Sequence, residues 1–377
     1  MPNYLGVDLG GTNLTCVLAN ESGDFLHRKT CASPYRITCG TLPDGSPEIF
    51  IDTVLADVPL QKRVAEYLAR TEAEFLKGAG SPKIAAKGYS LCGKTWIHGG
   101  EIRMMGGNTP LRLGIDPGDG KIGIAVAPSG ENVVAANDGN AAAHAQGIYY
   151  RAMEGIAPRE TGYMILGTGF GFGVPGYFAL TEIGHIPVAF MPEPLWQSCG
   201  CTEGKRTACA ENFASGRGIR NTAERLFRLD AATLARISVQ LAPVAGGVDL
   251  SESVHRTRLV KGDIDTEIVM RLAKDGADPL AGFVVELAAF ITAYAAIHAA
   301  YFFGLRRIGL GETVARLNPW HVDRISAIAA DYLRGSTLLR PPLRIEMTPI
   351  ADPADFGALS LAVPESQYGA WAEKMTR

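Results

Sequence analysis

Two glycine-rich turns, each directly after an apolar run, constrain the fold of this chain most strongly. The first is GVDLGGTN at 6–13, and the second is LGTGFGFG at 166–173. Glycine lets the backbone approach a ligand closely, successive N–H groups can face phosphate oxygens, and the Thr12 hydroxyl and Asn13 amide add donors. The first turn is neither a Walker loop nor a Rossmann fingerprint, because no Gly-Lys-Ser/Thr follows and no helix opens there. Together the two turns predict a nucleoside triphosphate held from two sides.

The order of strands and helices around these turns predicts an α/β fold with two lobes and a cleft between them. The first thirty residues are predicted to form three short strands, at 4–10, 14–20 and 24–30, whose spacing suits antiparallel hairpins. The turn-rich segment GIDPGDGK at 114–121 indicates a boundary. We therefore expect a small lobe over 1–118, completed by a C-terminal helix over 365–377, and a large lobe over 119–364. Further strands are predicted at 83–91, 121–128, 132–138, 162–176 (running into the second turn), 306–311 and 342–350, and helices at 60–78, 141–153, 212–227, 279–304 and 316–334.

The composition is that of a folded chain with a large apolar core. Of the 377 residues, 47% are hydrophobic and 20% are charged, and the formal net charge is −3. Nucleic-acid binding needs clustered Lys and Arg, so this balance argues against nucleic acid as a partner. The chain enters a strand pattern without a basic region or a cleavage site, which predicts no secretory signal and a cytoplasmic location. Stable disulfides are then not expected.

The longest apolar stretch, at 279–304, is the one segment that could span a membrane. It carries Glu286 and His298 and is bounded by proline and glycine. We interpret it as a buried helix of a large domain, so no membrane partner is expected.

The segment AANDGNAAA at 135–143 places Asp138 where a strand gives way to a helix. Such a position exposes a carboxylate at the edge of a sheet, where it can accept a proton from an attacking hydroxyl while Asn137 holds neighbouring hydroxyls. The alternative is that Asp138 only caps the helix that begins near Gly139. Beside two phosphate-binding turns, we favour the general base. Asp8, at the end of the first strand, can hold a magnesium ion through its water shell.

Three of the seven cysteines fall within twelve residues, in SCGCTEGKRTAC at 198–209. The motif EIGH, which ends in His185, precedes them. Cys199, Cys201 and Cys209 would complete a tetrahedral zinc set with this histidine, which leaves no position for water and predicts a structural site. The alternatives are three small core side chains and a satisfied histidine. In a chain expected to be cytoplasmic, we favour zinc.

Together these motifs resemble the ROK family of sugar kinases, within the actin-like, sugar-kinase ATPase superfamily. The resemblance is carried by GVDLGGTN, NDGNAAA, LGTGFGFGV, EIGH, CGC…CAENFASG and IGLGETVA, in that order along the chain. It implies the two-lobed actin-like (ribonuclease H-like) fold, with mixed sheets flanked by helices. It also implies ATP-dependent phosphorylation of a sugar hydroxyl, with ATP, Mg²⁺ and structural Zn²⁺ as cofactors and a homodimer as the assembly.

The resemblance assigns roles to the positions that match the family's motifs. Asp138 matches the catalytic base. The residues that match positions around the sugar are Asn108, Asn137, Glu182 and His185, the last of them also a zinc ligand. The positions that match the ATP site are Asp8, Gly10, Gly11 and Thr12 in the first turn, Gly167, Thr168 and Gly169 in the second, and Gly309 and Gly311 against adenosine.

The sequence departs from the family pattern at four places. Seven residues separate Cys201 from Cys209, where the family has CxCGxxGC. SLCGK at 90–94 replaces a Gly-x-Pro-Gly turn, and Glu312 stands in a loop that is usually a run of glycines. The insertion at 31–59 has no counterpart. We therefore expect the cysteine loop and the contacts with the sugar to differ from those of the family.

The activity expected on these grounds is an ATP-dependent kinase of a hexose that acts at the 6-hydroxyl, as a glucokinase does. Alternative substrates are an amino sugar, fructose, allose or a pseudo-sugar cyclitol. A sugar-responsive regulator would carry a DNA-binding helix-turn-helix ahead of the first strand, where only three residues stand. An actin-like ATPase gives no reason for EIGH beside a complete zinc set.

Overall fold

The computed structural model of the protein describes most of the chain. The described residues are 2–11, 13–34, 36–41, 47–52, 60–105, 123–176, 181–199, 201, 206–276, 278–337 and 342–376. The chain divides into two compact units: unit 1 comprises Met1–Gly162, Gly173–Thr181 and Pro349–Arg377, and unit 2 comprises Tyr163–Phe172 and Glu182–Thr348. The lobe boundary expected after residue 118 lies outside the described residues, so that division stays a prediction.

The described residues form sixteen strands and twelve α-helices. The strands are β1 Asn3–Leu9, β2 Asn13–Asn20, β3 Phe25–Ala32, β4 Arg36–Thr41, β5 Pro47–Asp52, β6 Ile84–Leu91, β7 Lys94–His98, β8 Glu101–Met105, β9 Ile124–Pro128, β10 Val133–Asn137, β11 Thr161–Leu166, β12 Phe170–Gly173, β13 Gln197–Ser198, β14 Arg206–Thr207, β15 Arg307–Gly311 and β16 Arg344–Met347. The helices are α1 Leu60–Gly78, α2 Asp138–Glu154, α3 Glu211–Ala214, α4 Gly216–Leu226, α5 Ala231–Ala245, α6 Leu250–Arg256, α7 Thr266–Lys274, α8 Pro279–Phe303, α9 Glu312–Leu317, α10 Pro319–Tyr332, α11 Pro353–Ser360 and α12 Tyr368–Met375. The insertion at 31–59 contributes the antiparallel pair of β4 and β5.

Unit 1 is built on a five-stranded sheet in the order β10-β6-β1-β2-β3. β1, β2 and β3 pair antiparallel, as expected from their short connections, whereas β6 pairs parallel to both β1 and β10. Leu9 pairs with Leu91, and Leu91 pairs with Asn137. The carboxyl ends of these three strands therefore meet at one edge of the sheet, which is where open α/β sheets place their ligands. This edge carries the first glycine-rich turn and Asp138.

The two faces of this sheet are covered by different helices. On one face, Val64, Leu68 and Phe75 of α1 join a buried cluster with alternate residues of β1, as their helical spacing predicts. On the other face, Trp371 of α12 is fully buried and meets Tyr4 edge-on, with 6.0 Å between ring centroids. Because helices cover both faces of the sheet, the edge formed by the carboxyl ends of the strands is the part that remains available for a functional site.

Unit 2 contains a four-stranded sheet in the order β12-β11-β15-β16, with β15 and β16 parallel. Its longest helix, α8, begins after the Asp278 cap and ends at Gly304, which takes a left-handed conformation with a φ of 67°. Among the described residues, α8 is the one helix long and apolar enough to cross a membrane, and 78% of its most apolar stretch is buried. This burial agrees with the interpretation of α8 as a core helix.

Two predicted helices are each divided in the structure. The helix expected at 212–227 breaks at Ser215, whose hydroxyl accepts a hydrogen bond from the third backbone N–H of α4 (3.0 Å). The helix expected at 316–334 is replaced by α9 and α10, which are separated at Asn318, directly before Pro319. A residue before proline is disfavoured in the helical conformation, which explains the second break.

His321, in α10, is fully buried, and neither of its ring nitrogens has a hydrogen-bond partner among the described residues. Burial lowers the pKa of His321 from 6.5 to about 4. Between these values the unfolded chain takes up a proton that the folded chain excludes, so the free energy of unfolding should fall by about 3 kcal/mol as the pH falls from 6.5 to 4. His321→Phe should lose this part of the pH dependence in urea unfolding measured at a series of pH values. An unchanged slope in the variant would contradict the prediction.

Candidate functional site

The first glycine-rich turn joins β1 to β2 at the edge of the unit 1 sheet. Gly10 N donates a hydrogen bond to Asn13 O (2.9 Å), and the Ser33 hydroxyl donates to Gly10 O (3.1 Å). Gly11 is half-buried and Asn13 is exposed, whereas Thr12 lies outside the described residues. The turn is therefore anchored through Gly10 and open to a ligand at Asn13.

Asp8 stands next to this turn, near the end of β1. It is half-buried, and its Oδ1 accepts a hydrogen bond from the Ser90 hydroxyl (2.5 Å). Ser90 is fully buried and is the residue paired with Asp8 across the β1–β6 ladder. The sheet itself thus orients the Asp8 carboxylate.

The first turn of α2 begins at the same edge of the sheet. Asn137 is the N-cap of α2: its Oδ1 accepts a hydrogen bond from Gly139 N (3.0 Å), and its Nδ2 donates to Gly93 O (3.2 Å). Asp138 is the first residue of the helix and is half-buried, and its Oδ1 also accepts from Gly139 N (2.8 Å). Asn137 itself occupies the N-cap position of α2. The capping role considered for Asp138 is therefore already filled by the neighbouring residue.

Asn140, which sequence analysis missed, ties α2 to the residues that follow β12. Its Oδ1 accepts hydrogen bonds from Val174 N (3.1 Å) and from the Thr181 hydroxyl (3.2 Å). Gly173 permits this approach, because a Cβ at that position would lie 1.9 Å from Gly139 O. Within unit 1, hydrogen bonds therefore fix the start of α2 on two sides. Asn137 bonds to Gly93 beside the sheet, and Asn140 bonds to residues that follow β12.

The second glycine-rich turn, Gly167–Gly169, joins β11 to β12 in unit 2 and rests on the start of α4. Gly216 N donates a hydrogen bond to Gly167 O (2.8 Å), and Arg217 N donates to Thr168 O (3.4 Å). Thr168 is exposed. Two carbonyl groups of the turn therefore bond to α4, and the third, Gly169 O, accepts from Gly167 N (3.1 Å) within the turn. Carbonyl groups occupied in this way suit a turn whose ligand is negatively charged.

Glu211 supports the same turn; it lies in the CAENFASG motif, but sequence analysis assigned it no role. Its side chain is buried, and its Oε2 accepts a hydrogen bond from Phe170 N (3.2 Å) directly after the turn. Its Oε1 accepts from the Arg217 guanidinium (2.8 Å). The contact with Phe170 joins residues 41 positions apart, which is why local patterns do not reveal it.

The segment expected against adenosine lies at the end of β15. Gly309 and Gly311 are buried within the strand. Glu312 follows with a φ of +72°, one of two non-glycine residues at positive φ among the described residues. This conformation costs a residue with a Cβ about 1 kcal/mol. Glu312 borders the second turn, because its Cβ lies 3.4 Å from where a Cβ on Gly167 would stand.

The four predicted zinc ligands come together in unit 2. Cys199 Sγ lies 3.4 Å from His185 Nδ1 and 3.1 Å from Cys201 Sγ. Cys209 Sγ lies 3.3 Å from Cys201 Sγ, and the four donor atoms all lie within 4.8 Å of one another. A tetrahedral zinc ion with Zn–S bonds of about 2.3 Å sets its sulfur ligands about 3.8 Å apart. The donor set therefore fits zinc in its chemistry, and its atoms are close enough together to surround one ion, with Sγ–Sγ distances of 3.1 and 3.3 Å that are shorter than this value.

Hydrogen bonds within this cluster favour a thiolate at Cys199. Donation from Cys209, and then from His185, lowers the pKa of Cys199 to about 3, although burial acts in the opposite direction. The hydrogen bond with Cys199 raises the pKa of His185 to about 9. A thiolate is the form in which cysteine binds zinc.

The sugar-binding residues predicted from EIGH lie beside the cluster. Glu182 is exposed, and its Oε2 lies 3.9 Å from His185 Nε2. The other ring nitrogen of His185 faces Cys199, so one imidazole connects the cysteines to this carboxylate. Asn108, the remaining predicted sugar contact, lies outside the described residues.

Comparison with protein families matches residues 127–362, more than half of the chain, to the ROK family. The chain belongs to the ROK family. An N-acetylmannosamine kinase of Escherichia coli O157:H7 is 27% identical over 275 residues, which cover 70% of this ROK protein and 77% of that relative. The resemblance stated from the motifs is thus confirmed.

Solved structures of the family share the fold. A ROK family glucokinase from Streptomyces griseus, in complex with glucose and AMPPNP, gives a TM-score of 0.56 at 22% identity, over 95% of this chain and 98% of that one. The ROK hexokinase from Thermus thermophilus gives 0.57 at 22% identity with the same coverage. The predicted fold class, the actin-like fold of ROK sugar kinases, is confirmed. The names of these relatives also agree with the predicted enzyme class, a carbohydrate kinase.

Proposed function

We propose that this ROK protein is an ATP-dependent kinase that phosphorylates the 6-hydroxyl of a hexose. The observation that carries the proposal is the position of Asp138. Its carboxylate is half-buried and lies at one edge of the unit 1 sheet, and the first glycine-rich turn lies at the same edge. Phosphoryl transfer needs alignment, donors for the phosphates and one base near the attacking hydroxyl. This edge supplies a base and a set of donors from neighbouring strands.

Asp138 accepts the proton of the sugar hydroxyl as the hydroxyl oxygen attacks the γ-phosphorus. The new P–O bond forms, the bond from this phosphorus to the bridging oxygen of ADP breaks, and ADP leaves. Asn137 contributes by position: both polar atoms of its side chain bond to the backbone, which fixes the start of α2 and therefore the base.

By its match to the family's ATP site, each glycine-rich turn is proposed to offer backbone N–H donors to nucleotide phosphates. The Asp8 carboxylate, which the Ser90 hydroxyl orients, would hold Mg²⁺ through the water shell of the ion. The ion would offset the negative charge of the phosphates. Gly309 and Gly311, buried in β15, are proposed to border adenosine because they match the family positions that do so. Each of these positions matches the ATP site of the family in sequence.

The cysteine cluster would hold a structural zinc ion through His185, Cys199, Cys201 and Cys209. Zinc bound there would clamp the loop and take no part in phosphoryl transfer, because all four positions of a tetrahedron are filled by protein. His185 would bind through Nδ1, which leaves its Nε2 and the exposed Glu182 carboxylate toward sugar hydroxyls. The clamp thus positions two groups that recognise the sugar.

A second candidate substrate is an N-acylated amino sugar. The Escherichia coli relative at 27% identity is named for N-acetylmannosamine, whereas the two solved kinases at 22% identity support the fold alone. The changed turn at 90–94 and the longer cysteine loop favour a pocket unlike that of a plain glucokinase.

The proposal is tested by coupled ADP release with glucose, N-acetylmannosamine, N-acetylglucosamine, fructose, allose and a cyclitol. We expect one of these to raise ADP release far above the rate without sugar, and the product of glucose or allose to carry the phosphate at C6. ATP turnover that no sugar changes would favour an actin-like ATPase. Sugar binding without any ADP release would favour a regulator.

A further inference from the structure

Three arginines converge on one short segment of unit 2, and we call them the arginine cluster: Arg206, Arg225 and Arg228. The Arg206 guanidinium donates through Nη2 to Glu193 O (2.8 Å), and the Arg225 guanidinium donates through Nε to Pro194 O, the next carbonyl along the chain. Arg228 N donates to Arg225 O (2.9 Å), which keeps these two residues within one turn of backbone. Side chains from β14 and from the end of α4 therefore meet at consecutive carbonyl groups.

The charge of the arginine cluster is only partly compensated. Within the described residues, Arg206 and Arg225 form no ion pair, and their guanidiniums bond to backbone carbonyls alone. Arg228 has a carboxylate partner, Glu224, at 3.6 Å, and the Arg228 side chain is 56% exposed. Glu193 is exposed and forms no ion pair within the described part of the chain. Over the described ranges, two cationic side chains thus lack a negative partner.

Arg225 is most affected by this imbalance, because it is half-buried. Burial, and then the positive charges of Arg206 and Arg228, lower the pKa of Arg225. Its guanidinium still remains charged at neutral pH, so the fold holds a partly desolvated cation beside two others. Only its Nε is used, and its Nη1 and Nη2 groups make no hydrogen bond to any described residue. A bound anion would satisfy these donors and offset the repulsion between the guanidiniums.

We infer that the arginine cluster is a binding site for a phosphate group, carried by inorganic phosphate or by a sugar phosphate. A phosphate monoester carries a charge of about −1.5 to −2 at neutral pH and offers three acceptor oxygens, which matches two unpaired guanidiniums. Guanidinium groups bind phosphate through two parallel hydrogen bonds, which the Nη1 and Nη2 groups of Arg225 can supply. A carboxylate has a single charge and would compensate only one of the two.

This site is distinct from the second glycine-rich turn. The turn bonds to the start of α4 at Gly216, whereas the arginine cluster lies at the other end of the helix. α4 has 11 residues, which corresponds to a length of about 16 Å. The inference therefore does not depend on the proposed function, because it concerns a different part of unit 2.

Titration calorimetry with inorganic phosphate and with glucose 6-phosphate, at constant ionic strength, tests the inference. We expect the unchanged protein to bind at least one of them, and Arg225→Gln and Arg206→Gln each to weaken that binding at least about tenfold, because each removes a charged donor. Equal affinity for the two probes would identify the phosphate group alone as the ligand, whereas tighter binding of glucose 6-phosphate would identify a sugar phosphate.

The matched control is Arg220→Gln, which removes an exposed charge from the same helix, where Arg220 bonds to the side chain of Asn221. This variant should bind phosphate as the unchanged protein does. Circular dichroism melting without phosphate shows whether each variant is folded.

Modification of arginines by phenylglyoxal, mapped by mass spectrometry, locates the phosphate without any substitution. Inorganic phosphate should slow the modification of Arg206 and Arg225 several-fold and leave that of Arg220 unchanged. This measurement uses the unchanged protein, so it holds even if a variant unfolds.

Three results would overturn the inference. If Arg225→Gln binds phosphate as tightly as the unchanged protein, the phosphate lies elsewhere, for example at the glycine-rich turns. If phosphate protects no member of the arginine cluster from modification, the same conclusion follows. If the unchanged protein binds neither probe, the arginines only hold the segment at 193–196. The tests of the proposed function use none of these variants, so the two proposals fail independently.

Discussion

Asp138→Asn is expected to lower kcat for phosphoryl transfer by about 10²–10⁴-fold, the contribution typical of a general base. Asparagine has the shape of aspartate but cannot take up the proton of the attacking hydroxyl. Its side-chain oxygen can still accept from Gly139 N, and Asn137 remains the N-cap of α2. The loss should therefore appear in kcat, measured by coupled ADP release with the preferred sugar, while the melting temperature and the Kd of ATP change little.

The matched control for this variant is Glu154→Gln, which removes an exposed carboxylate from the other end of the same helix. It should retain full kcat. Full activity in Asp138→Asn would refute the assignment of the base. A large fall in melting temperature would show that Asp138 acts mainly on the fold.

Cys209→Ser is expected to remove zinc from the protein. Elemental analysis should find about one zinc per chain before the substitution, and the affinity for zinc should fall by on the order of a hundredfold or more after it, because a ligand itself is lost. The region around the cluster should then become sensitive to limited proteolysis, since nothing clamps the loop. Chelation of zinc from the unchanged protein should produce the same cleavage pattern.

Cys92→Ser is the control for this prediction, because Cys92 is half-buried and lies outside the cluster. It should bind zinc as the unchanged protein does. Zinc content equal in Cys209→Ser and in the control would rule out the four-ligand site, as would a protein that binds no zinc when it is supplied.

Local features of this fold were predictable because neighbouring residues determine them. The hairpins of β1, β2 and β3 follow from three short strand segments joined by tight turns, and the position of Asp138 follows from a strand that ends where a helix begins. The cysteine cluster was also predictable, because its ligands lie close in sequence and zinc has few acceptable donor sets. In each case the pattern within about thirty residues contains the whole constraint.

The features that escaped sequence analysis depend on distant parts of the chain. Asn140 contacts Thr181 across 41 positions, and Phe170 donates to Glu211 across the same separation. The pattern of amino acids within an element shows which of its residues face the core. It does not show which residue from a distant part of the chain will contact them.

The backbone of Glu312 has a consequence for how this gene can vary. Both glutamate codons become glycine codons by one nucleotide change, and glycine adopts a φ of +72° without the cost that a Cβ brings. A screen of point-mutation libraries for heat resistance should therefore recover glycine at this position. The same screen run for growth on the sugar would reveal whether the glutamate is kept for its carboxylate.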